Sequence, residues 1–306
     1  MKKLKKMHTV LIFVVLAVIG VLFSYKASPP SFQKSQEKPY QLTIVATFFP
    51  FADIARSVGG ADIEVIQLVQ DGQEPHEYEP SVQDVERMLT ADIFFMNGGS
   101  IDGWAEKLIP EAEQRGVRVV RMSDISPEVV VADTHAWMDF AYAQKMTNAI
   151  RQALAEQDGY HAEDYQRRAD TLYEEIEVLD RTFFEVLHAC TQHDVFVIHN
   201  AFSAWEVKYE LMIHALVGQS SEAEPSLHDI AQFVEEARKK EASTIFFEAL
   251  DAEPLAHTVA QEIGATTKML SPLEGRTAED ITQSATYVTL MEKNLATLTH
   301  ALSCQK

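Results

Sequence analysis

Cysteine is scarce: Cys190 and Cys304 are the only two in 306 residues. Two thiols so far apart in sequence exclude a cysteine-based zinc site. In an oxidising compartment they are able to form one disulfide, and they read equally well as free or buried thiols. Positive charge is also in short supply, with 26 Lys and Arg against 46 Asp and Glu and a formal net charge of −20. Beyond residue 28 the imbalance deepens, because 21 basic residues there face all 46 acids, for a net charge of −25. Such a surface repels phosphate backbones and argues against nucleic acid as a partner. No HExxH occurs, which removes that zinc-protease signature. Neither an internal repeat at solenoid periods nor a low-complexity segment is found.

What is present is a globular composition, 46% hydrophobic and 24% charged, in a chain long enough for two cores. The start, MKKLKKMHTVLIFVVLAVIGVLFSYKASPP, combines a basic head with an apolar run of about sixteen residues. Residues 1–28 therefore read as a signal peptide or an N-terminal membrane anchor, and the chain as extracytoplasmic. No small-x-small cleavage site and no nearby cysteine for lipid attachment decide between the two. The polar, proline-bearing stretch that follows, residues 29–40, reads as a linker.

From Tyr40 onward, short apolar runs alternate with helical periodicity, which is the pattern of β-α-β units on parallel sheets. QLTIVATFFP, IEVIQLV, IFFMNGG and VRVVRM read as strands of an N-terminal α/β lobe, residues 41–160. Ser81 and Asp84 stand in capping-box spacing before an amphipathic helix. The segment 161–190 differs: it holds no glycine or proline, and Tyr165, Ala169, Leu172, Ile176, Leu179, Phe183 and Leu187 recur at helical spacing. A helix from about Ala162 to His188 would run roughly 40 Å and reads as a connecting spine. Alternation then resumes over residues 191–306, a C-terminal α/β lobe with strands in DVFVIHN, STIFFEA and TTKMLSP. AFSAWEVKYEL and SLHDIAQFVEEARKK are expected to be helical. The expected fold is α/β: two lobes with mostly parallel, four-stranded sheets flanked by helices, joined by one long helix.

Ligand sites in open α/β sheets gather where strands end and loops begin. Three of the eleven histidines stand at such places: His76 after IEVIQLV, His135 in VVVADTHAW and His199 at the end of VFVIHN. A carboxylate, Glu274 in MLSPLEG, follows another strand. Imidazoles with one carboxylate suit a divalent ion of borderline softness, and three imidazoles favour Zn2+ over Mn2+. His8, His161, His193, His228, His257 and His300 have ordinary surface explanations, His188 reads as a helix-end residue, and His214, beside a loop, stays open.

These residues lie in motifs that resemble the metal-binding solute receptors of zinc and manganese ABC importers. VATFFPFADIARSVGG, PHEYEPSVQDV, ADIFFMNGG, DTHAWMD, IHNAFSAWEVKYEL, AEPS and LSPLEG occur in family order over nearly everything from about Leu42 to Leu302. The resemblance implies that His76, His135 and His199 are the first, second and third metal ligands, histidine at the third position being the zinc type. It implies Glu274, in a PLE motif, as the fourth, because Ser271 occupies the point where manganese-type relatives place an aspartate. Glu248 in FFEAL and a water molecule remain rivals for that position. It further implies a membrane permease and a cytoplasmic ATPase as partners; a site closed by four protein ligands leaves no position for an activated water and reads as non-enzymatic, and the receptor is expected to be a monomer. A manganese receptor, a secreted zinc hydrolase and a metal-dependent surface adhesin are the alternative functions. Two departures stand out: DTH replaces the usual DPH, and no histidine-rich loop lies between His76 and His135. Glu77 and Glu79 are expected to be exposed and Tyr78 to pack under its loop. Asp133 and Asp139 are each expected either to hold the His135 ring or to cap a helix.

Overall fold

The computed structural model describes residues 41–127, 133–218, 225–248 and 253–304. The expected signal or anchor at 1–28 and the linker at 29–40 lie outside the described residues. Residues 41–306 form one compact unit. Its first half runs β1 (Leu42–Ala46), α1 (Phe49–Gly59), β2 (Ile63–Gln67), α2 (Val82–Thr90), β3 (Ile93–Met96), α3 (Ile109–Gln114), β4 (Arg118–Arg121) and α4 (Phe140–Gln157). The long helix α5 (Ala162–His188) follows. The second half runs β5 (Asp194–His199), α6 (Ala204–Tyr209), β6 (Met212–Val217), α7 (Leu227–Lys239), β7 (Thr244–Phe247), α8 (Glu253–Ile263), β8 (Thr266–Met269), α9 (Ala278–Thr282) and α10 (Tyr287–Ala301).

Two four-stranded sheets result, ordered β2-β1-β3-β4 and β6-β5-β7-β8. All of their pairings are parallel. Parallel strands need cover on both faces, and the sequence provides it by period two. Along β1, Leu42, Ile44 and Ala46 enter one core while Val45 enters another on the opposite face. Along β5, Val195 and Val197 join the first core and Phe196 and Ile198 a third. The first core is shared: it contains Ile44 and Phe95 of one sheet, Val197 and Phe246 of the other, and the inward stripe of α5 between them.

That stripe is the one read from periodicity, and all seven of its residues are buried. At 27 residues α5 spans about 40 Å. Near its start, Arg168 donates to the carbonyls of Val58 (2.7 Å) and Gly59 (2.8 Å) and to Asp62 (2.8 Å), fastening it to the end of α1. Near its end, the Phe183 ring meets Phe140 of α4 and Trp205 of α6 at 5.0 and 5.5 Å. Cys190 and Cys304 are disulfide-bonded, tying the end of α5 to the end of α10.

The structure contains a strand where the sequence pattern predicts only a helix. AFSAWEVKYEL is helical only to Tyr209; Glu210 takes a left-handed conformation (φ 56°) and β6 begins at Met212. The stop was hidden because a glutamate, rather than the usual glycine, occupies the left-handed position. His214 therefore lies in an edge strand and not beside a loop. Its ring stacks on Phe196 (4.4 Å between centroids), and its nitrogens face Asp194 (2.7 Å) and Glu236 (3.1 Å). Among the described residues, no helix is long and apolar enough to cross a membrane.

Candidate metal centre

Each of the four candidate side chains lies at or beyond the C-terminal end of a strand. His76 sits beyond β2 in the single 3₁₀ turn Pro75–Glu77, whose capping residue Glu74 accepts the His76 N–H at 3.1 Å. His135 lies beyond β4, where its N–H donates to Asp133 (2.8 Å) and the turn Ala136–Met138 leads into α4. His199 is the last residue of β5, and Glu274 lies beyond β8.

The loop bearing Glu274 is held at several points. Ser271 is pinned by Asn294 of α10, which accepts its N–H at 2.9 Å and donates to its carbonyl at 2.7 Å. Trp137 donates its indole N–H to the Pro272 carbonyl at 2.7 Å while packing edge-on against the His135 ring. Leu273 is buried in a left-handed conformation, φ 62°, which costs a non-glycine residue about 1–2 kcal/mol and redirects the chain just before Glu274.

These loops bring the four side chains together. His76 Nε2 and His135 Nε2 are 3.3 Å apart, and Glu274 Oε1 is 3.0 Å from His135 Nε2 and 3.4 Å from His76 Nε2. The His199 ring centroid lies 4.8 Å from that of His135 and 5.6 Å from that of His76. One ring nitrogen from each histidine falls within 4.8 Å of the others. The side chains of His76, His135, His199 and Glu274 are 4%, 0%, 2% and 2% exposed. Among the described residues, Nε2 of His199 and both oxygens of Glu274 are buried with no hydrogen-bond partner. Buried polar atoms left in this way are costly unless something else binds them. A zinc ion about 2.0–2.1 Å from four tetrahedral ligands sets neighbouring ligand atoms about 3.3 Å apart, the separation found here among His76, His135 and Glu274.

Residues 44–301 match the family described as ZnuA, zinc-uptake complex component A, periplasmic. The chain belongs to that family. Zinc-binding lipoprotein AdcA of Streptococcus pneumoniae is 29% identical over 279 residues, 84% of this chain and 55% of that protein. The chain thus spans just over half the length of that relative. High-affinity zinc uptake system protein ZnuA of Bacillus subtilis is 25% identical over 286 residues, 88% of this chain and 90% of that one. The crystal structure of the Zn(II)-bound ZnuA-like domain of S. pneumoniae AdcA shares the fold with a TM-score of 0.75 at 30% identity, covering 86% of this chain and 99% of that one.

In this ZnuA-family chain Glu248 stands at the opposite side of the His199 ring from Nε2, with Oε1 2.8 Å from Nδ1. A carboxylate on Nδ1 makes that nitrogen the donor and leaves the Nε2 lone pair free. Asp133 Oδ1 comes to 3.6 Å from His135 Nδ1, an ion-pair distance, while Oδ2 accepts the Ser203 hydroxyl at 2.6 Å. Asp139 has the other expected role: it caps α4 by accepting the Tyr142 N–H at 2.7 Å. Glu77 and Glu79 are exposed, and the Tyr78 ring packs 5.6 Å from that of Trp104.

Burial pushes the His135 imidazole down, but Asp133 and Glu274 outweigh it and hold its pKa up at about 9. Burial pushes the Glu274 carboxyl up, yet the adjacent His135 and His76 hold it well below the usual carboxylate range. His199 is opposed by burial and raised overall by Glu248. Burial, then the Glu274 charge, raises Glu74 to about 7.

Several contributors carried no distinct sequence signal. Trp137 reads as one more core aromatic. Asn294 differs only in being polar on the apolar face of α10. Asp71 and Arg276 clasp the His76 and Glu274 loops, with Nη2 to Oδ2 at 2.8 Å, and 205 residues separate them.

Proposed function

We propose that this chain is an extracytoplasmic receptor that captures one Zn2+ ion with His76, His135, His199 and Glu274 and delivers it to an ABC importer. The reading is carried by one observation: imidazole and carboxylate atoms converge, buried, at the spacing of a tetrahedral zinc shell, with Nε2 of His199 and both Glu274 oxygens lacking hydrogen-bond partners among the described residues. Two ligands come from an N-terminal lobe, residues 41–160, and two from a C-terminal lobe, residues 191–306, with the spine 161–190 between them. Export depends on residues 1–28, as a signal or as an anchor. The names of the pneumococcal and B. subtilis relatives, zinc-binding lipoprotein and high-affinity zinc uptake protein, support the same cargo.

Four protein ligands close the coordination shell and leave no position for an activated water, so the metal is cargo and the chain is not an enzyme. Three nitrogen ligands disfavour manganese, which prefers oxygen. The partners are a membrane permease and its cytoplasmic ATPase, and the receptor acts as a monomer. Calorimetry on the protein without an affinity tag tests this reading. It should return one zinc per chain, bound at least about a hundredfold more tightly than manganese. Ala at His76, His135 or His199 should each weaken zinc binding by more than about a hundredfold. Tighter binding of manganese would sink the assignment, and wild-type affinity in any one variant would remove that residue from the ligand set.

A further inference from the structure

A second group of potential ligand atoms overlaps the first. Atoms of Glu74, His76 and Glu274 lie within 4.8 Å of one another, and His76 and Glu274 belong to both groups. Glu74 is partly exposed, whereas the side chains of His76, His135, His199 and Glu274 are buried, so Glu74 marks the solvent side of the two groups. The carboxylate of Glu74 is already positioned, because its Oε1 accepts the His76 N–H at 3.1 Å. Its second oxygen is left to act elsewhere. Glu274, 2% exposed, has two oxygens without a hydrogen-bond partner among the described residues and is thereby able to serve both groups.

We propose that Glu74, with His76 and Glu274, forms a transfer position through which the zinc ion passes on its way into and out of the buried site. This rests on the zinc-receptor reading and adds a path to it. Zinc exchanges ligands readily by expanding from four to five partners. An ion held first by Glu74, His76 and Glu274 reaches the inner site by exchanging the Glu74 oxygen for the nitrogens of His135 and His199. Release retraces those steps, and the ion is never stripped to bare water exchange inside the protein. Glu74 serves as an oxygen ligand in its carboxylate form, and any proton it carries beforehand goes to solvent. A group that binds only in transit lowers the barrier equally in both directions, so it changes rates and leaves the equilibrium alone.

The test is stopped-flow zinc exchange on the full chain, with a chromophoric chelator as donor and acceptor, comparing wild type with Glu74→Gln. Glutamine keeps an oxygen to accept the His76 N–H, so the turn is preserved and only the anionic ligand is lost. Association and dissociation rates should both fall on the order of tenfold, with Kd within about threefold of wild type. A weakened Kd with faster dissociation would make Glu74 a resident ligand and overturn the proposal. A slower association alone, erased by salt, would reduce Glu74 to long-range attraction and also overturn it. Unchanged rates would leave it a turn cap. Failure of the wild-type protein to bind zinc would instead reject the underlying receptor assignment, an outcome separate from all of these.

Discussion

At the scale of single residues, the site is a competition between protons and metal for the same buried nitrogens. His135, with a pKa raised from 6.5 to about 9, carries a proton at neutral pH when no metal is bound. That proton stabilises the metal-free fold below about pH 6.5, and its contribution is lost as pH rises through about 9. Zinc binding must displace it, so zinc affinity rises over the same window. Both effects have one sign: the increase in melting temperature caused by saturating zinc should grow from pH 6 to pH 9. Melts with and without zinc at the two pH values check this, and a zinc-induced shift that is flat or shrinks with pH contradicts it. Legibility at this scale follows from chemistry. His76, His135, His199 and Glu274 are legible because they combine ligand chemistry with strand ends, and they lie together in the fold. Glu248 reads from sequence as a rival ligand, but which side of the His199 ring it occupies depends on how β5 and β7 pair. Trp137 and Asn294 act through an indole N–H and an amide inside the core, and nothing in a linear sequence separates them from packing residues.

At the scale of elements, the loops that carry the proposed ligands are fastened to each other as well as to their strands. Arg276 reaches Asp71 through its guanidinium at 2.8 Å and through its backbone N–H at 2.9 Å, and its charge lies over the Phe49 ring. With their side chains 19% and 14% exposed, the pair is screened less than a surface bridge. It holds the loop after β8 against the loop after β2. Asp71→Asn and Arg276→Gln are each expected to weaken zinc binding by about three- to thirtyfold, and the double variant no more than the weaker single. A double-mutant cycle in zinc titrations decides this: losses that add would mean the two residues act separately. Helices such as α2, α5 and α7 and most strands are legible because apolar periodicity and capping pairs such as Ser81 and Asp84 are local features, whereas α3, α4 and α9 are not among the expected helices. β6 is not legible either, since MIHALV shows no two-residue alternation and is half-buried along most of its length, and the preceding helix stops at Glu210 without a glycine.

At the scale of the molecule, two sheets of identical strand order share one core through α5, and the disulfide closes the second half of the chain. Cys190 and Cys304 are 114 residues apart, so in the loop-closure model their bond stabilises the fold by at most about 5 kcal/mol. Replacing both by Ser should lower stability by several kcal/mol while leaving zinc affinity nearly unchanged, since neither sulfur touches the metal cluster. Denaturation and zinc titration of that variant check the two halves of the statement, and unchanged stability would contradict the first. The α/β architecture and its spine were legible because parallel strands and a long amphipathic helix write their periods into sequence. The cysteine pairing was not, because sequence carries no distance between residues so far apart. The central claim, that one zinc ion sits among three imidazoles and a carboxylate, is tested most directly by anomalous diffraction at the zinc edge from crystals of the zinc-loaded protein. A single peak about 2.0–2.2 Å from His76, His135, His199 and Glu274 is the result expected. A peak elsewhere, or one at this site with water or Glu248 in place of Glu274, would contradict it.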